Sequence, residues 1–130
     1  MYTNCRTICP RTTAHMVDFQ KTLSDDGFNP QIVSFSVDPD YDTPEVLKEY
    51  ASEYDADLDT WSFLTGYDFE TIQDISVTSF KAALREGAVG QRSHGYGFYL
   101  IDPNGDIVKK YDGMSDDELD DLIEDLKLVL

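Results

Sequence analysis

The sequence predicts an α/β layered fold, and three observations carry that prediction. Segments with helical spacing alternate with short β-branched or aromatic runs. The alternation closes on a hairpin followed by one more helix, an order suited to a sheet covered by helices. The two cysteines of the chain, Cys5 and Cys9, stand where the first helix begins.

Each element follows from its residues. Pro10 fits the first turn of a helix, where its missing N–H costs little. Met16, Phe19 and Leu23 then recur at helical spacing, and Asp26-Gly27 ends the run. "QIVSFSV" (31–37) is apolar and β-branched, predicts a buried strand, and stops at Asp38-Pro39. Thr43 caps a second helix, with Pro44 just inside and Glu45 in the first turn. Val46, Leu47, Tyr50, Ala51 and Tyr54 form its inner face. "WSFLTG" (61–66) predicts a short strand. Residues 68–84 predict a third helix, capped by Asp68, with Ile72, Ile75 and Phe80 turned inward. Residues 85–95 are glycine-rich and predict a loop. "YGFYLID" (96–102), the turn Pro103-Asn104-Gly105 and "DIVKKYD" (106–112) make a hairpin. Ser115 and Glu118 form a capping box that opens a last helix with the stripe Leu119, Leu122, Ile123 and Leu126.

A cysteine pair at the start of the first helix narrows this order to a thioredoxin-like fold, a central β-sheet flanked by helices. Such a domain enters its cysteine turn from a central strand, yet only four residues precede Cys5. The expectation is one thioredoxin-like domain over residues 1–130, truncated at its N-terminus and lacking that strand. A buried strand would then be left beside an open edge.

Bulk properties exclude some functions. The 130 residues suit a single domain with a real core. The net charge of −16 argues against partners rich in phosphate, whether nucleic acid or anionic lipid. No apolar run approaches the roughly 18 residues of a membrane span, and Met1 leads into polar residues rather than a signal peptide.

Two thiols in one short motif look like a site rather than a disulfide scaffold. At a helix N-terminus the exposed N–H groups favour a thiolate. Two thiolates can clamp a soft ion such as Cu(I), or they can oxidise to a disulfide. Two incidental buried cysteines would show the same spacing. His94 adds information. It lies in the glycine-rich loop before a predicted core strand, where thioredoxin-like redox proteins usually place a cis-proline. No proline occurs between Pro44 and Pro103. Imidazole suits copper, and a third ligand would let the site hold Cu(II) as well as Cu(I). Taken by itself, His94 reads first as a loop histidine bonded to backbone. His15, six residues after Cys9, reads as a surface side chain. Zinc is disfavoured because too few ligands stand at zinc spacing. A peroxide-reducing cysteine usually follows a Thr or Ser by three residues; here Arg6 and Tyr2 hold those places.

Four stretches in order, "YTNCRTICP", "VSFSVDPDYDTPEVLKEYA", "WSFLTGYDFETIQ" and "SHGYGFYLIDPNGDIVKKYDG", resemble the Sco/SenC family over essentially the whole chain. The resemblance implies a thioredoxin-like protein attached to the membrane outside the cytoplasm. It implies copper, as Cu(I) or Cu(II), held by Cys5, Cys9 and His94. Asp38, in "SVDP", matches a family position near the site and is read as supporting the ligands. The implied role is delivery of copper to, or assembly of, the dinuclear copper centre of cytochrome c oxidase, by a metallochaperone rather than an enzyme. The implied partner is the subunit that carries that centre. The chain is expected to be a monomer, to bind no nucleic acid, and to reach the membrane only through an N-terminal anchor absent from this sequence. A second role is a thiol–disulfide oxidoreductase acting on the cysteines of that centre, in which Cys5 attacks and Cys9 resolves. A binding module or a non-functional remnant is the third reading, and a cooperative unfolding transition would argue against a remnant. The chain departs from the family pattern at Arg11 and Thr12, where a proline and a methionine are common, and at Ser93, where some members carry an acid. None of these departures removes a ligand.

Overall fold

A computed structural model describes residues 1–5, 9–86, 92–93 and 97–129. The element order is α1 (Cys9–Asp25), β1 (Ile32–Phe35), α2 (Pro44–Glu53), β2 (Trp61–Leu64), α3 (Phe69–Ser79), β3 (Arg85–Glu86), β4 (Arg92–Ser93), β5 (Gly97–Ile101), β6 (Ile107–Asp112) and α4 (Asp116–Val129). β1 and β2 pair in parallel, with Ile32 opposite Trp61 and Phe35 opposite Leu64. β5 and β6 form the closing hairpin, with Phe98 opposite Tyr111. β3 and β4 make a small antiparallel pair within the stretch expected to be loop.

The caps act as their residue types require. The Thr43 side chain accepts from Val46 N at 3.3 Å, and the Asp68 carboxylate accepts from Thr71 N at 2.8 Å. Ser115 Oγ accepts from Glu118 N at 3.3 Å. The Glu118 carboxylate, however, accepts from Asp112 N, so the reciprocal half of the box fastens the end of β6. Gly105 takes φ +89° in the hairpin turn, a conformation open to glycine. Asp102 Oδ1 accepts from both Asn104 N and Asp106 N at 2.9 Å and closes that turn.

One main core forms where α1 and α4 meet the strands. Phe19 and Leu23 of α1, Ile32, Trp61, Leu100, Tyr111, and Leu119, Leu122 and Leu126 of α4 are all buried in it. Gln20, also buried, ties α1 to the segment before β2. Its amide donates to Asp57 O at 2.9 Å and to Thr60 Oγ1 at 2.8 Å, and its carbonyl accepts from Asp57 N at 2.9 Å. A second cluster, Tyr2, Val37, Ile72 and Leu84, gathers under the other end of β1.

Two expectations shift. The third helix ends at Ser79, not at residue 84. Lys81 adopts φ +54°, outside the helical range, and the chain folds back so that Ala82 N donates to Ser76 O at 2.9 Å. Ile75 and Phe80 are consequently half-buried. The first strand is also shorter than expected and only partly buried, with Val33 51% exposed. Among the described residues no strand joins β1 to β5, and an apolar cavity of about 660 Å³ lies between them. Phe35, Phe80, Phe98 and Tyr99 are among its walls. One rung on the outer edge of β1 is nevertheless in place. Met1 N donates to Phe35 O at 3.1 Å, and Val37 N donates to Met1 O at 2.8 Å, the pattern of a parallel bridge.

On the α4 side, Asp125 Oδ2 accepts from Tyr111 Oη at 2.7 Å and from Lys109 Nζ at 3.2 Å. The tyrosine bond first, and the lysine second, hold the Asp125 carboxyl below its ordinary range. A depressed carboxylate contributes stability that is whole above the unfolded value of about 3.9 and is lost as pH falls through the folded value. Asp68, lowered by its bonds to Thr71, adds to the same acid limb. Asp125→Asn is expected to make the decline of the urea midpoint below about pH 4 shallower. Superimposable acid limbs for the two proteins would refute that assignment.

Candidate metal and thiol site

Cys5 lies at the C-terminal end of β1, where the parallel pair β1–β2 opens into its loops. A tight turn carries it there: Cys5 N donates to Tyr2 O at 3.2 Å. Tyr2 is buried in the second cluster, and the half-buried Cys5 packs against that same cluster. Cys9 is the first residue of α1, with Pro10 after it. The first turn of α1 carries no acidic residue, so nothing there offsets the pull of the helix N–H groups on a thiolate. The side chain of Cys9 lies outside the described residues, as does His94 altogether. Among the described residues, no group of three or more His, Cys, Asp or Glu side chains is arranged to hold a metal ion.

The loop after β1 supports the Cys5 turn. Asp38 is buried, and its carbonyl accepts from Tyr41 N at 3.2 Å and from Asp42 N at 2.9 Å. Asp38 N donates to Ser36 Oγ at 3.1 Å. Tyr67 Oη donates to Ser36 O at 2.7 Å and to Leu64 O at 2.8 Å, joining the ends of β1 and β2. Burial above all, with the Asp42 carboxylate adding to it, pushes the Tyr67 hydroxyl up to about 12. It therefore remains a donor across the physiological range.

Sequence reasoning singled out Asp38 in this loop and passed over Asp42, which is 0% exposed. Its only signal in the sequence was the density of acids in "SVDPDYD". His15 differs from its expectation as a surface side chain. Only 20% exposed, it places Nδ1 2.9 Å from Gly113 O and Nε2 3.6 Å from Asp116 Oδ1. The helix stripe that buries Phe19 turns His15 towards the start of α4, so it joins two elements instead of facing water.

Comparison with known proteins agrees with this architecture. The family model described as SCO1/SenC matches residues 1–130. A protein described as a SCO1 protein homolog from Bacillus subtilis (strain 168) is 44% identical over 129 residues, covering 98% of this chain and 66% of that protein. The chain spans 54% to 66% of the length of the curated relatives it matches. A crystal structure of a SCO1/SenC family lipoprotein from Bacillus anthracis str. Ames superimposes with a TM-score of 0.95 at 43% identity, covering 99% of this chain and 77% of that one. BsSco, described as having a disulfide switch and as a member of the Sco family of cytochrome c oxidase assembly proteins, gives 0.85 at 41% identity, covering 99% and 75%. Yeast Sco1 with copper bound gives 0.74 at 28% identity, covering 99% and 74%. These relatives share the thioredoxin-like α/β arrangement, and the chain belongs to the SCO1/SenC family.

Proposed function

We propose that this chain binds copper and passes it on during assembly of the dinuclear copper centre of cytochrome c oxidase, with Cys5, Cys9 and His94 as ligands. One observation carries the reading: Cys5 sits in an ordered turn at the end of β1, and Cys9 opens the adjoining helix. The donor set fits the cargo. Two thiolates suit soft Cu(I), and an imidazole extends the site to Cu(II). The copper-bound yeast relative and the description of BsSco as an assembly protein support the choice of ion and partner. The lipoprotein from Bacillus anthracis supports a place at the outer face of a membrane. Transfer needs no turnover chemistry: the recipient's own soft ligands replace Cys5 and Cys9 one at a time. On this proposal residues 1–130 form a single Sco-type domain.

The test is an anaerobic titration of Cu(I) into the reduced chain against a competing chelator. One tightly held copper per chain is the expected result. A chain that is folded by circular dichroism yet holds no tight copper would overturn the reading. It would favour the second role, thiol–disulfide exchange at Cys5 and Cys9, for which the disulfide switch described for BsSco is the supporting observation. The reduction potential of the pair decides that role. A disulfide too stable to be formed and broken against a partner's thiols would end it.

A further inference from the structure

We infer that Asp42 is the positioning residue that holds Cys5 in place, an inference that rests on the copper reading above. Asp42 is fully buried, and its carboxylate is met by three donors. Thr3 N approaches at 3.3 Å from Oδ2 and 3.4 Å from Oδ1, and the Thr3 hydroxyl donates to Oδ1. Ser36 Oγ donates to Oδ2 at 2.7 Å while accepting from Asp38 N.

The three donors come from the two segments that must meet at the site. Thr3 lies inside the Tyr2–Cys5 turn, and Ser36 immediately follows β1. The carboxylate itself is fixed from behind. Asp42 N donates to Asp38 O at 2.9 Å, and Asp42 O accepts from Thr65 Oγ1 at 2.6 Å. A buried carboxylate is costly unless every lone pair is used, so this network is stable only with the turn docked. The turn is short, and Cys5 lies two residues beyond the pinned Thr3. Asp42 thus sets the direction from which the Cys5 thiol reaches a metal, without touching that metal.

Asp42→Ala strands the donors of Thr3 and Ser36, and Asp42→Asn keeps an acceptor for Thr3 N. Two readouts separate positioning from general support: amide exchange at Thr3 and Cys5, and Cu(I) affinity against a chelator. In Asp42→Ala, exchange at both amides is expected to rise about tenfold or more while Leu23 and Leu100 keep their protection. Cu(I) affinity is expected to fall about 10- to 100-fold, the usual cost of losing a group that orients a ligand, with partial rescue in Asp42→Asn. Faster exchange with unchanged copper affinity would overturn the inference, as would unchanged exchange. If Asp42→Ala does not fold, Thr3→Val removes the hydroxyl donor alone, and the same two readouts decide at smaller amplitude. Should the unaltered chain bind no copper, the copper reading fails separately. The exchange rates, together with the alkylation rate of Cys5 in a Cys9→Ala background, then decide whether Asp42 holds the thiol. Alkylation no faster in Asp42→Ala would sink it.

Discussion

Cys5→Ala is expected to cost more than about 100-fold in Cu(I) affinity, beyond the 10- to 100-fold typical of losing an outer-shell partner. His94→Ala is expected to act differently. Two thiolates alone still satisfy Cu(I), so its affinity for that ion should fall by no more than about tenfold, whereas Cu(II) binding should drop by about 100-fold or more. The contrast follows from ligand softness. Thiolate stabilises the d¹⁰ ion, and the oxidised ion needs the nitrogen donor to complete its preferred planar or tetragonal field. Competition titrations with each ion, run on both variants and on the unaltered chain, test the full pattern. Equal Cu(II) affinity with and without the imidazole would remove His94 from the ligand set. Unchanged Cu(I) affinity in Cys5→Ala would remove the central claim. Circular dichroism of each variant separates ligand loss from unfolding, since Cys5 lies at the margin of the second cluster, away from the main core.

Leu23→Ala is expected to destabilise the fold by about 3–5 kcal/mol. Leu23 is 0% exposed and lies in the cluster that joins α1 to α4, Trp61 and Leu100. The truncation loses the transfer energy of the removed methyl groups and leaves a cavity, because the facing strands and helix relax only in part. Against a typical total of about 5–15 kcal/mol, the loss is a large share of the stability. Urea unfolding followed by far-ultraviolet circular dichroism measures it. Val77→Ala is the control: Val77 is 51% exposed on α3, and its change should stay within about 0.5 kcal/mol. A Leu23→Ala cost below about 1 kcal/mol would mean that the α1–α4 interface is not the seat of stability.

Helices with caps and regular apolar stripes were legible in the sequence. Thr43, Asp68 and Ser115 all cap as their types require, and Phe19, Leu23, Leu47, Tyr50, Leu119, Leu122 and Leu126 are all buried. The hairpin was legible from its turn chemistry, through Asp102 and Gly105. What escaped was set by long-range partners. The early end of α3 depends on Lys81 entering a positive φ and on a hydrogen bond from Ala82 back to Ser76, neither of which has a local signature. The exposure of Val33 depends on what lies beside β1, whereas its apolar run alone predicts burial. At the site, the cysteine spacing could be read directly, whereas Asp38 was marked only by the family resemblance of "SVDP". Asp42 could not be told from the surrounding acids, because its role depends on Thr3, 39 positions away. His15 escaped in the same way, through Gly113, 98 positions away.

The outer edge of β1 bears on how the molecule behaves in a crowd. The N–H groups of Ile32 and Ser36 point to β2, so by alternation those of Val33 and Phe35 face the other side, above the apolar cavity. Among the described residues no strand pairs with that side of β1, and an unpaired strand edge can recruit a strand from a neighbouring molecule. The surplus of 26 acids over 10 basic residues opposes such encounters at long range. That repulsion decays over about 8 Å at physiological ionic strength and faster in concentrated salt. The acidity of the chain therefore belongs to its colloidal behaviour: like-charged molecules hold one another apart, and dissolved salt sets how close they come.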